Sequence, residues 1–231
     1  MRVDIFWSAL PSYLSGCGTT LLLLLLALVC GLLLSVPLAV LRASDNLWLS
    51  RPVWLYTYVI RGTPLLVQLF ILYFGLAQFA PLRESMLWPL FSSPWFCAGL
   101  AFALNTTAYT TEIFAGSLRS IAVGEIEAAK SLGMSSLTLY RRVLLPDALR
   151  RALPAYSNEV VFMLHATSLA GTVTLFDLTA AARAINADTY RPFEAFGLAA
   201  LLYLLLTFAL VGLFRSAERR WLRHLQPRSA A

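Results

Sequence analysis

"TLLLLLLALVCGLLLSVPLAVL", residues 20–41, contains no charged side chain. A helix needs about 20 apolar residues to cross a hydrocarbon core roughly 30 Å thick, and this run has that length. It shows no period-two alternation, and a bilayer core offers backbone groups no solvent partner, so the run is a helix and not a barrel strand. Composition extends the reading to the whole chain of 231 residues: 59% of side chains are hydrophobic, 13% are charged, and mean hydropathy is +0.71. Further apolar runs cover residues 64–80, 95–116, 153–176 and 193–214, while the first extends over 18–41. The fold class is therefore all-α integral membrane, with five transmembrane helices in a single domain spanning residues 1–231.

Arg42 follows the first run and no basic cluster precedes it, which argues against reading the run as a cleaved signal peptide. Upstream, Phe6, Trp7 and Tyr13 are mixed with polar residues, so about 3–15 reads as an interfacial helix. With the N-terminus outside, the inner segments hold Arg42, Arg51, Arg119, Lys130, Arg141, Arg142, Arg150, Arg151, Arg215, Arg219, Arg220, Arg223 and Arg228. The outer ones hold only Arg2, Arg83, Arg183 and Arg191. This positive-inside bias accounts for the net charge of +6 and removes the need for a nucleic-acid partner.

"YVIRGTPLLVQLF", residues 58–70, interrupts its helix at Gly62 and Thr63. Thr63 precedes a proline and is driven to extended geometry, and Pro64 suits the first turn of a new helix with Thr63 as N-cap. Arg61 then ends near water as an anchor of the segment "PVWLYTYVIR", residues 52–61, along the inner interface. Cys17, Cys30 and Cys97 have no metal-ligand spacing and read as buried packing residues, so no metal is expected.

The topology leaves one large inner loop, residues 117–151. "GEIEAAKSL", residues 124–132, is helix-forming, with Ile126, Ala129 and Leu132 near one face, and Gly133 stands where a helix ends. Ser135 or Ser136 caps a second helix whose Leu137, Tyr140 and Leu144 form an apolar face, and Pro146 ends it. Such an element either packs on its own span ends or docks a soluble partner.

"EAAKSLGMSSLTLYRRVLLP", residues 127–146, resembles the signature loop of binding-protein-dependent ABC importer permeases: Glu127, Ala128, Ala129, then Gly133, then an aliphatic residue before Leu145 and Pro146. Val143 stands where that family usually has Ile. "RGTPLLVQLF", "NTTAYTTEIFAGSLRSI", "LPDALRRALPAYSNEV" and "ERRWL" resemble its polar amino-acid branch, nearest the M-type subunits for histidine and for arginine and ornithine, with opine permeases close by. The resemblance implies a type I importer permease in a bacterial inner membrane, N-terminus periplasmic and C-terminus cytoplasmic. It implies a coupling helix around Glu127, Ala128 and Ala129 seated on an ABC ATPase dimer. It also implies a second homologous permease subunit, a heterodimer being favoured, and a periplasmic amino-acid-binding protein. The implied substrates are basic or polar amino acids: arginine, ornithine, histidine, lysine or related opines. Where many members of the branch carry a Lys-Asp pair before Thr or Ser, this chain reads His165, Ala166 and Thr167, as M-type subunits do.

No G-x-x-x-x-G-K-[ST] segment is present, so the chain binds no cofactor of its own and ATP with Mg²⁺ belongs to the partner ATPase. G-x-S-x-G and H-E-x-x-H are also absent, and the only histidines are His165 and His224, which argues against an enzyme. An ion-coupled secondary carrier is the alternative, and five spans without an evident inverted repeat disfavour it.

Intramembrane polar side chains are costly and so mark a candidate pathway. Asn105, Ala108, Tyr109 and Glu112 share one face of the third span, and Asn158, Phe162, His165, Ser168 and Thr172 share one face of the fourth, with Glu159 and Thr167 beside it. At about 1.5 Å per residue, Asn105 and His165 fall near the midplane, and Glu112 and Glu159 form an inner pair. The same groups also serve as interhelical hydrogen-bonding glue, and the two glutamates as partners for Arg61 or another inner basic residue.

Overall fold

The computed structural model describes residues 3–221, with side chains from Ala9 onward; Phe6, Trp7, Arg2, Leu222, Arg223, His224 and Arg228 therefore lie outside the described side chains. Every described element is a helix or a turn. In chain order they are α1 (Val3–Ala43), α2 (Leu47–Gly62), α3 (Leu65–Phe70), α4 (Ala80–Arg83), α5 (Trp88–Phe91) and α6 (Pro94–Arg119), then α7 (Val123–Ser131), α8 (Ser136–Leu139), α9 (Leu145–Ala166), α10 (Leu178–Thr189) and α11 (Pro192–Trp221).

The bundle is organised around α6, which contacts α1, α2, α3 and α9. Along α1, Ala27, Gly31, Ser35 and Ala39 recur at every fourth position and form a stripe of small residues. Where α1 crosses α6, a β-carbon added to Gly31 would strike Thr106 Cγ2, so glycine is required by proximity. Leu23, Leu24 and Ala27 pack against Ala98, Ala101, Phe102 and Leu164 on one side of the crossing. Nearer the loop end, Ala39 packs with Phe114, Ala115, Leu118, Ala129 and Leu144, which ties the inner loop into the core.

By length and composition, α1 from Ala9 onward and α11 are clear membrane spans, and the number rises to four if each of two bent pairs counts as one. α6 is not among them despite its 26 residues. Its middle is polar, with Asn105, Thr106, Thr107, Thr110 and Thr111 all buried, because it faces protein on most sides and not hydrocarbon. Against five spans read from hydropathy, the described helices thus support two to four by this measure.

Several local expectations change. Residues about 3–15 do not form a separate element: α1 is one unbroken helix, and Tyr13 is buried with its hydroxyl donating to Ala195 O at 2.9 Å. The break at Gly62 and Thr63 is present, with 100° between α2 and the following run. Pro64 and not Thr63 is the N-cap, and the Thr63 hydroxyl donates back to Val59 O at 2.9 Å. Pro146 does not end a helix. The chain widens into a π turn at Tyr140–Leu144, which accommodates the missing proline N–H, and α9 continues to Ala166. That turn also moves the buried face, so Leu139 and Leu144, five apart, are buried while Leu137 is exposed.

The run 153–176 is not one α-helix. It tightens to a 3₁₀ segment at Thr167–Val173 and bends by 52° past Thr174 (φ 68°), after which Asp177 caps α10 by accepting from Thr179 N and Ala180 N at 3.0 and 3.1 Å. α10 fills what hydropathy leaves as an outer loop and packs against α1 and α11. Cys97 is buried as expected, whereas Cys30 is exposed.

Candidate functional site

Two adjoining cavities open beside α6. The larger, about 520 Å³, is lined by Arg61, Thr63, Asn105, Tyr109, Glu159 and Phe162 among others. The smaller, about 350 Å³, is lined by Arg42, Trp54, Thr57, Tyr58 and Glu112, and it shares Arg61, Gly62 and Tyr109 with the first. The larger falls within the roughly 300–1,000 Å³ range of small-molecule sites.

The break between α2 and α3 builds one wall. Gln68 Nε2 donates to Ile60 O at 2.7 Å, to Thr63 O at 3.1 Å and to Thr63 Oγ1 at 2.8 Å, replacing the hydrogen bonds that the broken helix loses. With its amide nitrogen so engaged, Gln68 presents Oε1, which accepts from Asn105 Nδ2 at 3.2 Å. Asn105 is therefore oriented by its neighbour, and its Oδ1 has no protein donor among the described residues. Hydropathy gives no warning of Gln68; only its spacing of five residues beyond Thr63 marks it as able to reach back across the break.

Glu112 and Glu159, expected at a common inner depth, line the two adjoining cavities and have different surroundings. Glu112 Oε1 accepts from Arg42 Nε at 2.7 Å and from Thr57 Oγ1 at 2.6 Å, so three helices meet at one carboxylate oxygen. Glu159 lies in the other cavity, on α9, and is only 6% exposed. Arg61 stands between them, its guanidinium carbon 5.0 Å from the centre of the Tyr109 ring and within Coulombic reach of both carboxylates.

The fourth-span face divides. Asn158 is exposed, and Phe162 lines the larger cavity. His165 turns away toward α11, with Nε2 3.1 Å from Thr207 Oγ1 and its ring edge-on to Tyr203 at 6.4 Å. It is not brought to Asn105. Thr167 is buried and donates to Leu164 O at 2.6 Å, while Ser168 is half-buried in the 3₁₀ segment. Among the described residues, no three His, Cys, Asp or Glu side chains are grouped to hold a metal ion.

The inner loop forms a second candidate surface. Gly133 has φ +76° and its N–H donates to Lys130 O at 2.9 Å, a left-handed stop to α7. Ser135 then caps α8, its Oγ accepting from Thr138 N at 3.4 Å. Ala129 is buried against the span ends, whereas Glu127, Ala128 and Gly133 are exposed. Leu132, expected on the buried face with Ile126, is 78% exposed because it lies beyond the last helical residue. Leu145 and Pro146 are half-buried where the π turn gives way to α9.

Comparison with known proteins gives consistent matches. Residues 31–223 match the family described as binding-protein-dependent transport system inner membrane component. The histidine/lysine/arginine/ornithine transport system permease protein HisM of Escherichia coli (strain K12) is 52% identical over 216 residues, covering 93% of this chain and 91% of that protein. The nopaline transport system permease protein NocM of Agrobacterium fabrum is 45% identical over 230 residues, covering 99% and 95%. A solved structure described as an amino acid ABC transporter with histidines superposes with a TM-score of 0.82 at 33% identity, covering 93% of this chain and 96% of that one.

Proposed function

The chain belongs to the family of binding-protein-dependent transport system inner membrane components, and from that premise we propose how it works as the permease subunit of an ABC importer for basic amino acids. As a permease subunit it is not itself an enzyme, and hydrolysis of ATP with Mg²⁺ belongs to a separate ATPase. Membership of this family also removes the ion-coupled carrier as an alternative. Relatives named for histidine, lysine, arginine, ornithine and nopaline support arginine-like cationic substrates.

The observation that carries the substrate reading is Glu159: a buried carboxylate lining a cavity of about 520 Å³ together with Asn105. A guanidinium or ammonium leaving water needs a countercharge, and Glu159 supplies it while Asn105 Oδ1 offers a neutral acceptor. In this reading the chain crosses the inner membrane five times with its N-terminus periplasmic and its C-terminus cytoplasmic, and α6 is the central span. The open side of the cavity is completed by a second, homologous permease subunit, a heterodimer being favoured, and a periplasmic amino-acid-binding protein delivers substrate.

On the loop, exposed Glu127 and Ala128, with Ala129 behind them and Gly133 ending the helix, form the seat for an ABC ATPase. Leu145 and Pro146 join that seat to α9. Glu112, held by Arg42 and Thr57, is a structural member of the pathway wall; His165 and Thr167 are engaged by Thr207 and by Leu164 O, and Asn158 and Ser168 remain pathway residues in this reading.

The test is uptake by the reconstituted complex of this chain, its second subunit and the ATPase, with binding protein inside or outside vesicles as required. Glu159→Gln is expected to cut arginine, ornithine and histidine uptake at least about tenfold with assembly intact. Unchanged uptake would move the countercharge to the second subunit.

A further inference from the structure

Arg61 lies over the Tyr109 ring and within Coulombic reach of Glu112 and Glu159, yet no carboxylate bonds it directly among the described residues. Arg42 is bonded to Glu112, Arg151 to Asp147, and Arg191 to Glu194, whereas Arg61 forms neither an ion pair nor a hydrogen bond among the described residues. Glu112, which lines the smaller cavity with Arg61, already accepts from Arg42 and Thr57. Yet Arg61 is not adrift: its guanidinium sits over the Tyr109 ring, and its backbone lies in the last turn of α2, which Gln68 clamps at Ile60 and Thr63.

A guanidinium held by its face against a ring keeps its N–H edges available, and those edges match the two oxygens of a carboxylate. The larger cavity has only two charged side chains in its lining, Arg61 and Glu159, one of each sign. An α-amino acid carries the same two charges in the opposite sense, plus a side chain.

We propose that Arg61 is the receptor for the α-carboxylate of the transported amino acid, while Glu159 receives one of its cationic groups. The assignment rests on the reading that this cavity takes a basic amino acid. It adds a selection that the countercharge alone cannot make, since Glu159 attracts any cation whereas Arg61 admits only cations that carry a carboxylate. Amines derived from the same amino acids by loss of that group would meet an unopposed guanidinium and be repelled.

The experiment compares arginine with agmatine, which differs only in lacking the carboxylate, by calorimetric titration of the purified permease and ATPase complex without binding protein. The wild-type complex is expected to bind arginine at least about tenfold more tightly than agmatine. Arg61→Gln is expected to weaken arginine by about 10- to 100-fold and to leave agmatine unchanged or tighter, because a repelling cation is removed; Arg61→Lys should fall between.

Equal affinity of the wild type for both compounds overturns the proposal without any substitution. So does Arg61→Gln weakening both compounds alike, the result of a purely structural role, or weakening neither. Glu159→Gln separates this inference from the reading beneath it: loss of both ligands supports the countercharge. If both ligands survive Glu159→Gln while Arg61→Gln still affects arginine alone, Arg61 stands and the role of Glu159 falls.

Discussion

Among single side chains, the carboxylate of Glu112 and that of Glu159 have opposite circumstances on neighbouring helices. Glu112 is satisfied by two donors and shares a partly exposed pair with Arg42, whose side chain is 16% exposed against 18% for the glutamate. Glu112→Gln leaves the Arg42 guanidinium without its charge partner, and thermal unfolding of the detergent-purified complex should report a loss of about 1–3 kcal/mol. A double-mutant cycle with Arg42→Gln should recover most of that as coupling between the two; additive losses would mean that each acts separately. His165→Ala, by contrast, removes an exposed contact to Thr207 and an edge-on ring contact to Tyr203, and should leave the ranking of arginine, ornithine and histidine uptake unchanged. Composition and spacing identified most of these polar residues and the kind of partner, an inner basic residue, that the glutamates could take. The Arg42 to Glu112 bond joins positions 70 apart, and depth counted along straight helices could not choose Arg42 over Arg61. Asn105 was legible as a buried amide in an apolar run; the orientation that Gln68 imposes on it was not, because it depends on a bend of 100° between two segments.

The helical elements divide by whether their signals are local. Gly62, Thr63 and Gly133 act within a turn of themselves, and the chain breaks at all of them. Gly133→Val places a β-branched residue at φ +76°, at a cost of about 1–2 kcal/mol, with no neighbouring atom within 4 Å to add a clash. The expected result is an inserted, assembled subunit whose ATPase rate no longer rises with substrate, while Gly133→Asn, which tolerates the left-handed region, retains coupling. Normal stimulation in the valine variant would reduce the loop to a packing element. Gly31 is constrained by a neighbour instead. Gly31→Ala drives its methyl into Thr106 and should destabilise the bundle by about 1–3 kcal/mol in thermal unfolding, and Thr106→Ser, which deletes the struck methyl, should restore part of the loss. Pro146 was misjudged for the same reason in reverse: proline stops a regular helix, but a π turn upstream lets the helix pass through it, and nothing in the residues themselves announces such a turn. α10 was hidden because it is short and its small alanines are interspersed with polar residues, and it exists by packing on α1 and α11 rather than by hydropathy.

At the scale of the whole molecule, the hydrophobic composition made the membrane and the all-α class plain, while the polar middle of α6 shows why counting spans by apolarity is unreliable for a helix enclosed by others. A chain with large apolar side chains exposed on α2, α11 and the loop, such as Trp48 at 89% and Leu132 at 78%, has surfaces suited to lipid and to partners. Reconstituted alone, it should transport nothing, and uptake should appear only with the second subunit and the ATPase; transport by the isolated chain would refute the subunit assignment. The uninterrupted run from Ser136 to Ala166, bulged but never broken, has a mechanical meaning. Leu139 at its loop end and Glu159 within the cavity belong to one continuous helical run, separated by roughly 30 Å at about 1.5 Å per residue. A tilt of about 5° at the foot of a run that long carries its far point sideways by roughly 2.5 Å, comparable to the reach of one hydrogen bond. If Glu159 grips substrate as proposed, the stroke needed to make or release that grip is small at its source, and the leverage resides in the length of the run.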